Sequence, residues 1–141
     1  MFSNFGFEIA VVVSLSFIVA QLIKVISYSI RRKQLYLKGF LESGGLPSGH
    51  SAVMASLTTM IYFEQGFSSL FFVSFFISLI VMYDAMGVRK EVEKHSKAIM
   101  LLADKVKVKG MPNLKEYVGH SIVEVFVGAC LGVLIALIFM L

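Results

Sequence analysis

His120 and Glu124 stand four residues apart, a spacing that stacks two side chains on one face of a helix. In that arrangement Glu124 can accept a hydrogen bond from one imidazole nitrogen, which fixes the tautomer and leaves the other nitrogen free as a nucleophile. Gly119 precedes His120 at the start of an apolar run, where a helix dipole favours the neutral imidazole that attack requires. A purely structural His–Glu pair tethering two helices is the competing reading. A second constellation lies in the run Gly44-Gly45-Leu46-Pro47-Ser48-Gly49-His50-Ser51-Ala52. Pro47 ends whatever precedes it and Ser48 suits an N-cap, so the run predicts a loop entering a helix. The N–H groups of that first turn face outward and bind phosphate readily. Gly49 leaves room for close approach, and His50 exchanges a proton near neutral pH. Together they predict a phosphate site with its own acid or base. The plainer alternative is a glycine-rich turn with a histidine at the headgroup level.

Six further positions belong to the same argument. Lys24 and Arg31 are seven residues apart, two helical turns, and so share a face near one end of the first apolar run. They either hold an anion or snorkel to anionic headgroups. Asp84, beside Tyr83 and near Arg89, is expected to orient a basic residue or to cap the membrane boundary. Glu8, at the opposite end of the first run, is expected in water. Gly128 and Gly132 continue the stripe of His120 and Glu124. A GxxxG spacing serves helix dimerisation, but the shared stripe predicts packing inside the bundle; a homodimer stays as the alternative.

The elements that must position these residues follow from composition. Hydrophobic residues make up 57% and charged residues 16% of the 141, with mean hydropathy +0.84, whereas a soluble domain is about half apolar and about a quarter charged. The sequence therefore predicts an all-α integral membrane protein, a four-span helical bundle with one amphipathic cytoplasmic helix, forming a single membrane-embedded domain over residues 1–141. The single Cys130 has no partner for an internal disulfide. The first apolar stretch is too long for a signal-peptide core and is expected to be retained. The expected spans are Phe7 to Ile30, Ser48 to Phe63, Phe67 to Gly87 and His120 to Leu141. The second is about 24 Å long against a ~30 Å hydrocarbon core, which places its mouth below the headgroups. Arg31 to Leu46 reads as a basic connector and Glu64-Gln65-Gly66 as a tight turn. In Val88 to Gly110, the residues Val92, His95, Ile99, Leu102 and Val106 fall on one helical face, with Arg89, Lys90, Glu93, Lys94 and Lys97 mostly elsewhere. That pattern predicts an amphipathic helix on the membrane surface.

Charge sets the expected orientation. Of 13 Lys and Arg, Lys24 lies in the first span, and the other 12 lie in two connectors, four in Arg31 to Lys38 and eight in Arg89 to Lys115. The positive-inside rule places both connectors in the cytoplasm and both termini outside, as for a protein of a bacterial inner membrane. Anionic lipid headgroups are the expected partners of this charge; no base-stacking aromatics line a basic groove, so no nucleic acid is expected. Asp84, Glu124 and His120 lack the spacing of a closed metal site, and neither a metal nor another cofactor is expected. Lys24, Arg31, His50, Arg89, Lys115 and His120 then converge on one membrane face, contributed by every span or its flank.

Lys24-x6-Arg31, Pro47-Ser48-Gly49-His50 and His120-x3-Glu124 resemble the three motifs of the type-2 phosphatidic acid phosphatases, which are related to vanadium haloperoxidases. The runs Gly44 to Ala52, Tyr83-Asp84-Ala85-Met86-Gly87-Val88-Arg89-Lys90 and Leu114-Lys115-Glu116 to Gly119-His120 are similar to its short, divergent bacterial and plant branch. The resemblance covers Gln21 to Gly132. It implies metal-independent hydrolysis of a phosphate ester through a phosphohistidine, with His120 as nucleophile, Glu124 as its orienting carboxylate and His50 protonating the leaving oxygen. Lys24, Arg31 and the Ser48/Gly49 backbone would hold the phosphoryl oxygens. The chain departs from the wider pattern in four places. No proline follows Arg31. Leu114 stands where the third motif carries an arginine, leaving that place to Lys115 or Arg89. Glu124 replaces an aspartate, and four helices stand for a core of six. The membrane substrate expected is a lipid phosphate monoester or a polyprenyl (pyro)phosphate. A catalytically weak phospholipid-binding or regulatory protein is the second reading. A small transporter is the third, opposed by spans whose middles are nearly free of charge.

Overall fold

The computed structural model describes residues 4–41, 44–108, 110, 112, 114 and 118–141. Among the described residues five α-helices carry the fold: α1 (Phe5–Arg32), α2 (Gly49–Gln65), α3 (Ser69–Met86), α4 (Val88–Val106) and α5 (Ile122–Met140), with a short 3-10 helix at Leu37–Leu41. No strand occurs among the described residues. The stretches Phe5–Arg32, Ser69–Val106 and Ile122–Met140 are long and apolar enough to cross a membrane. In the second of these the apolar part is α3; Gly87 breaks the helix, and the basic residues begin at Arg89. The 17 residues of α2 fall short of that length.

Several boundaries differ from those the sequence predicts, each for a local reason. α1 runs on through Arg32, so Arg31 sits in its last turn rather than in a connector. Glu64 and Gln65 remain helical, and the turn is made by Gly66, whose φ of 62° suits a residue without a Cβ. α5 begins at Ile122, not at His120, because Ser121 caps it: the Ser121 hydroxyl accepts from the Glu124 N–H while the Glu124 carboxylate accepts from the Ser121 N–H. This reciprocal box fixes the helix start. His120 therefore precedes α5 instead of stacking within it.

α2 is the central helix, packed against α1, α3 and α5. Its buried positions in the first half are small, Gly49, Ser51, Ala52, Ala55 and Ser56, which lets neighbouring backbones approach. The approach is closest to α5. A Cβ on Gly128 would run into the Ser48 carbonyl oxygen, and one on Gly132 into that of Ala52. The glycine stripe thus packs inward against α2, as small residues do where membrane helices cross. On the other side, Thr58 Oγ1 and Ser78 Oγ lie 2.8 Å apart, and Ser78 also donates to the Met54 carbonyl at 3.2 Å, linking α2 to α3. Large apolar side chains such as Phe76, Ile80, Val123 and Phe126 point outward. An exterior this apolar fits lipid rather than water.

Candidate active site

The segment before α5 is held by three successive backbone N–H groups. Gly119 donates to Glu93 Oε2 at 3.2 Å, His120 to the Ala85 carbonyl at 3.0 Å, and Ser121 to Glu124 Oε2 at 3.1 Å. These acceptors belong to α4, α3 and α5. The His120 ring is consequently fixed and almost wholly buried, with 1% of the residue exposed. Its Nδ1 lies 3.0 Å from Glu124 Oε2. A carboxylate only accepts, so Nδ1 carries the proton and Nε2 holds the lone pair in the neutral ring. Nε2 is buried and has no hydrogen-bond partner among the described residues. Burial lowers the His120 pKa; the hydrogen bond and charge of Glu124 oppose this, and the net effect lies below the ordinary value of 6.5.

His50 enters from the first turn of α2. Its ring centroid is 6.2 Å from that of His120, with the two planes at 68°. His50 Nε2 lies 3.3 Å from Arg89 Nη1, and Arg89 Nε donates to Asp84 Oδ2 at 2.8 Å. A guanidinium only donates, so in this contact His50 Nε2 is the acceptor and the ring is neutral, with its one proton on Nδ1. Asp84 thus orients a basic side chain, one of its two expected roles, and the residue it orients is Arg89. Lys24, 1% exposed, sits within α1 where its charge acts on both histidines.

Ser48 is the N-cap of α2, and its hydroxyl accepts from the Ser51 N–H. Its own N–H donates to the Glu124 carbonyl at 3.0 Å, so Ser48 ties α2 to α5 and does not offer that N–H to a ligand. By helix geometry the open donors of this turn are the N–H groups of Gly49 and His50. Gly49 is buried against Phe17 and Gln21. Gln21 was not singled out as a site residue by its sequence context, yet it is buried, and its Oε1 lacks a hydrogen-bond partner among the described residues. It stands one turn before Lys24 on α1. Only its burial beside Gly49 distinguishes it, and burial is not a local sequence signal.

Arg31 and Arg32 occupy the exposed last turn of α1. They line a cavity of about 410 Å³ together with Lys24, Tyr28, Lys90, Glu93 and Glu124. Lys24 and Glu124 therefore border both the cavity and the histidine pair. Lys115, one of the two cations expected to replace the third-motif arginine, lies outside the described residues; the other, Arg89, lies beside His50. Among the described residues no group of His, Cys, Asp and Glu is arranged to hold a metal ion.

This arrangement has two histidines facing each other, a carboxylate on one, a guanidinium on the other and a buried ammonium near both, at the mouth of an apolar bundle. The family described as "Divergent PAP2 family" matches residues 3–135. The chain is similar to the uncharacterized membrane protein YuiD of Bacillus subtilis (strain 168), at 36% identity over 86% of each chain. No solved structure matches it. The motifs in Lys24 to Arg31, Pro47 to His50 and His120 to Glu124 all fall inside the matched range, and the chain belongs to the Divergent PAP2 family of membrane proteins.

Proposed function

We propose that the protein is a membrane phosphatase that hydrolyses a lipid phosphate monoester or a polyprenyl (pyro)phosphate through a phosphohistidine. One observation carries the reading: the lone-pair nitrogen of His120 is buried and has no hydrogen-bond partner among the described residues, on a ring whose centroid is 6.2 Å from that of His50. A neutral imidazole held by Glu124 attacks phosphorus in line, forming the N–P bond as the ester P–O bond breaks. Protonated His50 gives a proton to the leaving oxygen and is left as the neutral ring that accepts from Arg89. In the second half His50 takes a proton from water, the resulting hydroxide attacks phosphorus, and the N–P bond breaks to return neutral His120 and inorganic phosphate. Lys24, Arg31, Arg89 and the Gly49 and His50 N–H groups surround the equatorial oxygens with positive charge, which is what phosphoryl transfer needs. These holding groups are organic cations and amides, so the reading includes metal independence.

In this reading α2 is a fourth, short span, and its recessed mouth admits the phosphate. α4 lies on the cytoplasmic membrane surface, and substrate arrives from the inner leaflet or the cytosol. The second reading is a phospholipid-binding protein that retains the anion site; Leu114, standing at the place of the third-motif arginine, favours it. Phosphate release by the purified protein from a panel of lipid phosphates, with and without a chelator, separates the two. Turnover that survives chelation supports the phosphatase. Tight lipid binding without turnover supports the binder.

A further inference from the structure

Glu93 is the one buried residue of α4 among its described positions, at 5% exposure, although the helix is otherwise a row of charged and apolar side chains open to their surroundings. Its two carboxylate oxygens do different things. Oε1 accepts from Lys97 Nζ at 2.7 Å and lies 3.4 Å from Lys90 Nζ. Oε2 accepts the Gly119 N–H at 3.2 Å, across 26 residues of sequence. A second observation points to the same contact. A Cβ on Gly119 would come within 2.6 Å of the Lys90 Cα and 2.7 Å of its backbone nitrogen. The backbone just before His120 is therefore fitted directly onto the first turn of α4, and only glycine permits it.

We propose that Glu93 is a positioning residue for His120, acting through the Gly119 N–H to hold the imidazole in line with the phosphate. The two lysines keep the buried carboxylate ionised and aimed, and the peptide between Gly119 and His120 transmits its position to the ring. The proposal rests on His120 as nucleophile for its effect on turnover, but its geometric content can be measured without substrate. A side chain displaced by about 1 Å from its attack geometry can cost about a hundredfold in rate.

The test uses two variants that divide the roles of the carboxylate. Glu93→Gln keeps the reach to Gly119, since its carboxamide oxygen accepts an N–H, but removes the charge. Glu93→Asp keeps the charge, which the flexible lysines can follow, but is shorter by one C–C bond of about 1.5 Å and cannot reach. The full-length protein in detergent is assayed for phosphate release, and its histidines are labelled with 15N. The chain has three histidines, His50, His95 and His120, so loss of one signal set in His120→Ala identifies that ring. Positioning predicts that Glu93→Gln stays within about threefold of wild type in kcat and keeps the Nδ1–H tautomer of His120. Glu93→Asp should lose about tenfold or more in kcat, with KM changed less than about threefold, and show mixed tautomers. The reverse order, or equal behaviour of the two variants, overturns the proposal. If the wild type releases no phosphate, the phosphatase reading fails, and the nitrogen spectra alone still decide whether Glu93 holds the ring.

Discussion

Nδ1 of His120 and Oε2 of Glu124 are 3.0 Å apart, and the same oxygen accepts the N–H of Ser121 at 3.1 Å. One carboxylate thus caps α5 and sets the histidine tautomer, so the start of the helix and the state of the nucleophile are a single structural event. Burial lowers the His120 pKa and Glu124 pulls it back up, for a net value below 6.5. The neutral, attacking form therefore persists below pH 6.5, and the acidic limb of kcat/KM is expected on that side. Replacing Glu124 with Gln removes the groups that favour the protonated ring, so the limb moves to still lower pH. The plateau rate should fall about 10²–10⁴-fold, since the tautomer is no longer fixed. A pH–rate profile of the two proteins checks both the direction and the loss.

Arg89 is held by Asp84 on one side and meets His50 on the other. Arg89→Ala is expected to lower kcat about 10²–10³-fold, as for loss of one donor to a developing oxyanion. Asp84→Asn should lower it less, because the guanidinium remains but is loosely aimed. If Asp84 acts only through Arg89, the double variant is no worse than Arg89→Ala alone. Additive losses in a double-mutant cycle would give Asp84 a separate role.

Gly132 faces the Ala52 carbonyl with no room for a Cβ. Gly132→Val should destabilise the bundle by about 1–3 kcal/mol through overpacking, read as a lower midpoint of thermal unfolding in detergent. Because the stripe faces α2, the substitution is expected to leave the oligomeric state unchanged; dissociation of a dimer would place the stripe at an outer surface instead.

Much of this geometry was legible in residue order. The cap at Ser48, the pairing of His120 with Glu124 and the inward glycine stripe follow from spacing and side-chain chemistry, which are local. The pairing was expected as helical stacking, whereas it forms across a cap, because Ser121 competes successfully for the start of α5. Glu93 and Gln21 were not legible as site residues. Glu93 lies among lysines on a helix that reads as solvated, and nothing near it in sequence announces Gly119, 26 residues away. The engagement of the Ser48 N–H with Glu124 is likewise a contact between helices, settled only when α2 and α5 cross.

The positive-inside rule predicts the orientation from the 12 Lys and Arg within residues 31–38 and 89–115, each worth about 1 kcal/mol near an anionic leaflet. With Cys130, the chain's single cysteine, replaced by Ala, one new cysteine is introduced at Lys97 and, separately, at Gln65. In intact cells an impermeant thiol reagent is expected to label position 65 and spare position 97. The opposite pattern would place the histidine pair on the outer face.

The central claim is that Nε2 of His120 becomes bonded to phosphorus. Its most direct test is to mix the purified protein with a lipid phosphate labelled at phosphorus, quench in alkali and map the label. Phosphohistidine survives alkali and is lost in acid. The expected result is alkali-stable, acid-labile label on the peptide containing His120, with neither label nor phosphate release in His120→Ala. Undiminished phosphate release by His120→Ala, or label on another residue, would contradict the account.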